Sequence, residues 1–342
     1  MSRYRHSSDR RSEAGAATLA TAIVVLLAGS MLAAAVADIA RTELVVARDR
    51  RILAHGLAAA DLCLARVVAG LPAGWDHAGT LAGTDALIGT ADDGVLVAPS
   101  GCSATLLPGS LGALRPFLDV AAAVAGGRRR LRAIVGATPH PLPAVVWTSS
   151  ATALGLVMGR VELNGVDVAR PDLTPLPAIA SPDDPSLVDA WLGGTPGVTV
   201  VGATAPPHYA PAPPLTALLA RLRGQGAGPM FVPAPALPAA GLYAVAGDLT
   251  IASPGFGAGV LAVEGRLDIQ ADFAFSGIVA ASGGVGVANG VTLRILGGLW
   301  AGTPALNVAG ELVVLHDAAA VDAADALFRL PRRALVAGLV DR

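Results

Sequence analysis

The chain has 342 residues and a formal net charge of -2, with 15% charged and 53% hydrophobic residues, which excludes a global field recruiting nucleic acid or acidic partners. The length admits one large or two ordinary domains plus an anchor. With 41 Gly, 25 Pro and 4% aromatics, the core must come from Val, Leu, Ile and Ala, and a turn-rich β architecture is favoured over a helical bundle.

Residues 1–15 form a basic leader, with Arg3, Arg5, Arg10 and Arg11 against Asp9 and Glu13. From Ala14 to Ala37 there are 24 residues without a charge, and about 20 suffice to cross a ~30 Å hydrocarbon layer. A transmembrane helix is therefore expected over 16–37. The Arg-rich side stays cytoplasmic, which places the residues after Asp38 outside. No Pro occurs before Pro72, so the helix is expected to continue over 38–70 as an amphipathic extension. Ile39, Val46, Leu53, Leu57, Ala60, Leu64 and Val67 recur at helical spacing and make one apolar stripe. Gly70 and Pro72 end it. Ala16, Ala20, Gly29 and Ala33 are small residues that allow other helices to approach closely.

Residues 72–170 read as a β-rich region. Gly94–Val97 and Ser103–Leu107 flank a turn and suggest a hairpin, and Arg128–Val135 starts as a charge run and ends as a strand. Arg160–Leu163 alternates and is followed by an Asn-Gly turn. Residues 171–240 hold 15 of the 25 Pro and read as an irregular segment with helices expected at Pro214–Arg223 and Ser186–Leu192. Ala203–Pro214 reads as a linker or surface loop. In 241–342 the form G-x-L-x-[IV] recurs at Gly247, Gly265 and Gly310, with short Gly-closed strands between. That pattern predicts a β-solenoid or β-roll, in which each unit is covered by the next. A helix over Ala318–Leu330 is expected to cap the open end of the stack. The expected fold class is thus α+β, mostly β.

Cys63 lies on the outer helix and Cys102 in the hairpin turn, both on the side where disulfides persist, so a bond between them is expected. The alternative is a buried free Cys63 and an exposed Cys102. His6, His55, His77, His140, His208 and His316 lack metal-ligand spacing and read as loop or surface residues. No G-x-S-x-G, Walker A or H-E-x-x-H pattern occurs. Asp92-Asp93 and Asp183-Asp184 read as solvated turns, and Trp147, Trp191 and Trp300 as packing residues. Asp248, Glu264, Asp268 and Asp272 are the local carboxylates a glycan-cleaving enzyme would need, and they read as turn or surface positions. No catalytic, cofactor-binding or metal-binding residues are expected.

The basic leader, Gly15, the apolar run and the amphipathic continuation resemble a type IV pilin or pseudopilin. More narrowly, Arg41-Thr42-Glu43 through Ala54-His55-Gly56-Leu57-Ala58-Ala59-Ala60-Asp61 resembles PilX-type pilus assembly proteins, with Asp61 where Glu is usual. The C-terminal order of Gly247-Asp-Leu-Thr-Ile251, Gly265-Arg-Leu-Asp-Ile269, Phe273-Ala-Phe275-Ser-Gly277-Ile-Val279, a Gly-rich stretch and a last helix resembles the same group. The resemblance covers about half of the chain. It implies a pilin-like region over 72–170, prepilin peptidase cleavage between Gly15 and Ala16, and assembly with other pilins or pseudopilins at the bacterial inner membrane. Major pilins carry Glu at the fifth mature position, where this chain has Ala20, so the resemblance implies a minor subunit that caps or initiates a filament. Other readings are a type II secretion pseudopilin, and an anchored or secreted β-solenoid protein binding or cleaving glycans. A plain signal anchor, or a secretory signal cleaved after Ala35-Val36-Ala37, are the alternatives to a processed pilin leader.

Overall fold

The computed structural model of the chain describes residues 9–87, 89–109, 111–124, 127–201, 208–225, 232–233 and 240–340. The protein is mixed α+β, mostly β, with one long apolar N-terminal helix. The chain divides into two compact units, one of residues 1–59 with 122–129 and one of 60–121 with 130–342.

Helix α1 (Asp9–Gly70) is rich in Ala, Leu, Val and Arg and contains no Pro, so nothing interrupts its hydrogen-bond ladder before Pro72. Its predicted stripe is covered only in part. Ala60, Cys63, Leu64, Val67 and Val68 are buried, whereas Ile39, Val46, Leu53 and Leu57 are 43–60% exposed. Periodicity marks a face that can be buried; it does not supply what buries it. The short α2 (Ala78–Leu81) follows, then β1 (Val95–Leu96), β2 (Cys102–Gly109), β3 (Gly112–Val124) and β4 (Gly127–Ala137). β1 and β2 pair antiparallel as the expected hairpin, Val95 opposite Thr105. These four strands lie side by side in chain order. Alternate residues Ala104, Leu106, Leu118, Val120, Ala133 and Val135 are buried, the period-2 pattern of a sheet with one covered face. On the other face Asp119 and Arg132 form a two-bond cross-strand pair, and the Arg132 guanidinium sits 5.4 Å over the Phe117 ring. The Arg128–Arg130 charge run is itself strand.

The chain then forms β5 (Val146–Thr148), β6 (Gly155–Val157), β7 (Arg160–Asn164), β8 (Ile179–Ser181), α3 (Pro185–Gly194), β9 (Val198–Val201), β10 (His208–Tyr209), α4 (Leu215–Gly224) and β11 (Val232–Pro233). Both expected helices are present, and Asp184 caps α3 through Ser186 N–H at 2.9 Å. Of the expected linker at 203–214, residues 203–207 lie outside the described residues and His208–Tyr209 are strand. Next come β12 (Gly241–Val245), β13 (Leu249–Ile251), β14 (Gly255–Val263), β15 (Leu267–Ile269), β16 (Phe273–Ala281), β17 (Val285–Val287), β18 (Thr292–Ala301), β19 (Leu306–Val308) and β20 (Glu311–Leu315). Last are α5 (Ala318–Leu327) and β21 (Ala334–Val340), which pairs antiparallel with β4 and completes the first sheet.

From β12 to β20 the ladders are parallel, and each strand pairs with the one a full coil later: Gly259 with Gly277, Gly277 with Gly297, Leu267 with Val285. β14, β16 and β18 each carry a mid-strand glycine with positive φ (Gly259, Gly277, Gly297), and at these the sheet divides. Their first halves continue through β20 to β7 and β9, while their second halves run from β12 to β5, β8 and β10. β13, β15, β17, β19 and β6 form a third parallel ladder. Inward residues of all three ladders share one apolar core that includes Phe275, Leu261, Val279, Ile269, Leu306, Val314 and Leu163. The second-half ladder is also covered outside: Val260, Ala262, Ile278, Ala280 and Trp300 pack with Leu218 and Leu222 of α4 and Val321 and Ala324 of α5. Burial on both faces explains the continuous apolar runs in these strand halves.

β7 is parallel to both neighbours, β20 and β9, and just after it Asn164 Oδ1 accepts from Val166 N–H at 2.9 Å. Two expectations need correction. The stacked strands are not confined to 241–342, since β5 to β10 extend the same ladders. α5 does not cap an end; it packs along the flank against β14, β16 and β18, because its buried Ala318, Val321 and Ala324 match the outer apolar face there.

Candidate membrane anchor and polar sites

Within α1, Thr18–Gly70 is long and apolar enough to cross a membrane, and its most apolar window is wholly unburied. Leu19, Ile23, Val24, Val25, Leu26, Leu27, Met31, Leu32 and Val36 are each 48–72% exposed. In water this surface would be a liability; in hydrocarbon it is matched, and the helix satisfies its own backbone groups. Ser30 Oγ donates to the Leu27 carbonyl at 2.8 Å, so that hydroxyl needs no water. Gly15 and Ala16 fall inside α1. Ala20, Gly29 and Ala33 are exposed, and a Cβ on Gly29 would meet nothing within 4 Å. At ~3.6 residues per turn, however, Ala20 and the Gly29/Ala33 pair point to roughly opposite sides of the helix. The small residues therefore make two patches, not one face.

One feature of this unit was not foreseen. A Cβ on Gly56 would come 2.7 Å from Arg129 Cγ, so the Arg129 side chain lies against the helix where a side chain is missing. The signal was an isolated Gly inside a helical pattern.

In the other unit Cys63 and Cys102 are joined in a disulfide with Cα atoms 6.2 Å apart. The bond ties the helix to the first residue of β2 and closes a loop that stabilises by about 3–4 kcal/mol in the chain-entropy view.

Of the histidines expected in loops or at the surface, His55 is at the surface and His77, His140 and His316 are in loops. His55 is exposed, but His77 and His316 are buried and His140 is half-buried. His6 lies outside the described residues. Burial pulls all three enclosed imidazoles below their usual pKa. His140 and His316 meet edge to face at 5.5 Å, close to Asp167. Nothing in their spacing pointed to this, since the three residues come from separate loops.

The acidic turns are internally satisfied. Asp92 accepts bonds from Thr84 N–H at 2.7 Å, Thr84 Oγ at 2.6 Å and Thr90 Oγ at 2.8 Å, which hold its carboxyl far below the usual range. Asp183 accepts from Ser150 Oγ at 2.7 Å and Ala151 N–H at 2.6 Å. Among the described residues no three His, Cys, Asp or Glu side chains are grouped to hold a metal ion. Each carboxylate considered for glycan chemistry is engaged: Asp248 with Arg266 N–H, Glu264 with Arg223, Asp268 with the Arg266 side chain and Asp272 with Thr292 N–H. Trp147 and Trp300 are fully buried, meet edge to face at 5.1 Å and serve the core, as expected.

No known protein family, characterised protein or solved structure matches the chain.

Proposed function

We propose that the protein is a non-enzymatic, minor pilin-like subunit of a type IV pilus assembly. In this reading α1 holds it in the bacterial inner membrane and the β-rich part lies outside. The antiparallel strands with the end of α1 make a pilin-like module, and the parallel coils are a β-solenoid carried on it. The observation that carries the reading is α1 itself. An uncharged, unburied run continues without a break into a segment tied by a disulfide to an antiparallel sheet. Such a helix has two solvents, lipid or the helices of other subunits, and its exposed Ile39, Val46, Leu53 and Leu57 suit the second. With Ala20 in place of a carboxylate, no group offsets a neighbour's N-terminal ammonium, which favours a capping or initiating position.

The test is the mature N-terminus, read by mass spectrometry of the protein from its membrane. Ala16 supports the reading; Met1 or Asp38 overturns processing by a prepilin peptidase. Deletion then separates the systems. Loss of surface pili supports a pilus subunit, whereas intact pili with lost protein export assign the chain to a type II secretion apparatus. Polysaccharide hydrolysis or glycan binding by the purified protein would refute the assembly role.

A further inference from the structure

The parallel ladders contain a joint through which the chain does not run. Residues 241–315 build one side and 146–209 the other, and they meet where β18 pairs with β5, β19 with β6 and β20 with β7. Just past the β20–β7 ladder, His316 N–H donates to the Asn164 carbonyl at 2.8 Å, and its own carbonyl accepts from Val168 N–H at 3.0 Å. Asp167 stands in that turn, 2% exposed, with Oδ1 accepting from Ala169 N–H at 2.9 Å and Arg170 N–H at 3.1 Å. Its Oδ2 lies 3.7 Å from Arg170 Nε, beyond hydrogen-bond reach. His140 meets the His316 ring edge to face, and its Nδ1 accepts from Leu142 N–H at 3.2 Å. His140 Nε2, His316 Nδ1 and Asp167 Oδ2 are buried without a hydrogen-bond partner, three of the five such side-chain atoms among the described residues. Orphaned polar atoms are costly and rarely cluster without a use.

We propose that His140, His316 and Asp167 form a proton-operated latch on this joint. With both imidazoles neutral the rings pack and the joint is closed; with both protonated, His140 and its loop leave His316 and the end of the β20–β7 ladder opens. The first proton weakens the latch only in part, because Asp167 and Asp317 face His316, and Asp322 and Asp325 face His140. Arg170 on the His316 side and Arg332 on the His140 side oppose it. The second proton sets two imidazolium rings against each other in a site with little water. The loop can leave without breaking a sheet. Its ties include Thr138 Oγ to the His140 carbonyl at 3.0 Å and the Arg332 guanidinium on the Thr138 and Pro139 carbonyls, and it is hinged at Thr138, whose N–H donates to the Arg333 carbonyl at 2.9 Å, and at the buried Leu142. Because burial depresses these pKa values, the closed state is fully favoured above the ordinary imidazole value of 6.5 and loses ground as pH falls below it. The inference does not depend on the proposed function.

The test uses the full chain in detergent micelles, with hydrogen exchange corrected for intrinsic rates between about pH 7.5 and 4.5. Opening at Asn164–Val168 and Leu312–Asp317 should rise by about tenfold per pH unit for one proton and up to a hundredfold for two. Near-UV circular dichroism of the Trp147–Trp300 pair, which spans the joint, should change over the same range. His140→Gln or His316→Gln should halve the slope, and the double variant should remove it while His77→Gln leaves it intact. An unchanged wild-type joint across this range overturns the proposal whether or not the variants fold. So does a slope that survives the double variant, or one that His77→Gln removes.

Discussion

Replacing Gly277 by Ala tests the corner of the parallel coils. Gly277 sits at φ +128° in the middle of β16, and a Cβ there would come closer than 3.0 Å to the Gly259 carbonyl oxygen of the preceding coil. Gly259 stands in the same relation to Gly241, and Gly297 to Gly277. Two costs therefore combine. Holding a non-glycine residue at that φ costs about 1–3 kcal/mol, and making room against backbone, which cannot rotate away, costs about 1–3 kcal/mol more. The sum is about 2–6 kcal/mol. At about 2–4 °C per kcal/mol for a unit of this size, the thermal midpoint should fall by about 4–24 °C. Gly290→Ala is the comparison. It has φ +74° but nothing within 4 Å of the added methyl, so only the dihedral cost applies. Thermal unfolding followed by circular dichroism measures both. Equal shifts, or a smaller one at Gly277, would show that the coils are not in contact at this corner.

Cys63→Ser should lower stability by about 3–4 kcal/mol, seen as a lower urea midpoint, and reductant should reproduce the loss in wild type and add nothing in the variant. Leu218→Ala in α4 empties a fully buried position over the second-half ladder and should cost about 2–5 kcal/mol by the same assay. Asp183→Asn should destabilise at neutral pH. Hydrogen bonds from Ser150 and Ala151 depress the Asp183 pKa, so its contribution is present above the ordinary carboxylate range and is lost as pH falls through the lower folded value. The gap between variant and wild type should therefore close below about pH 4, as read by midpoints across a pH series.

Local chemistry explains which features were legible. The long apolar helix, both helices of the Pro-rich stretch, the β1–β2 hairpin and the G-x-L-x-[IV] strands each rest on residues adjacent in the chain. The cluster of His140, Asp167 and His316 was not legible, because its members come from loops after β4, β7 and β20 and share no spacing. The flank position of α5 was missed for a related reason: its apolar face is plain, but the surface it covers is built from β14, β16 and β18.

From the sequence alone came the apolar run of α1, the candidate pair offered by its only two cysteines, and the repeat that marks stacked strands, since charge, count and period are properties of the chain itself. Only the tertiary structure decided that β5 to β10 join the stack begun at β12, and that Ile39, Val46, Leu53 and Leu57 stay uncovered while Ala60, Cys63, Leu64, Val67 and Val68 are buried. Those outcomes depend on contacts such as Leu312 with Val161, formed between residues far apart along the chain. No local pattern encodes which of several equally apolar strands becomes the neighbour.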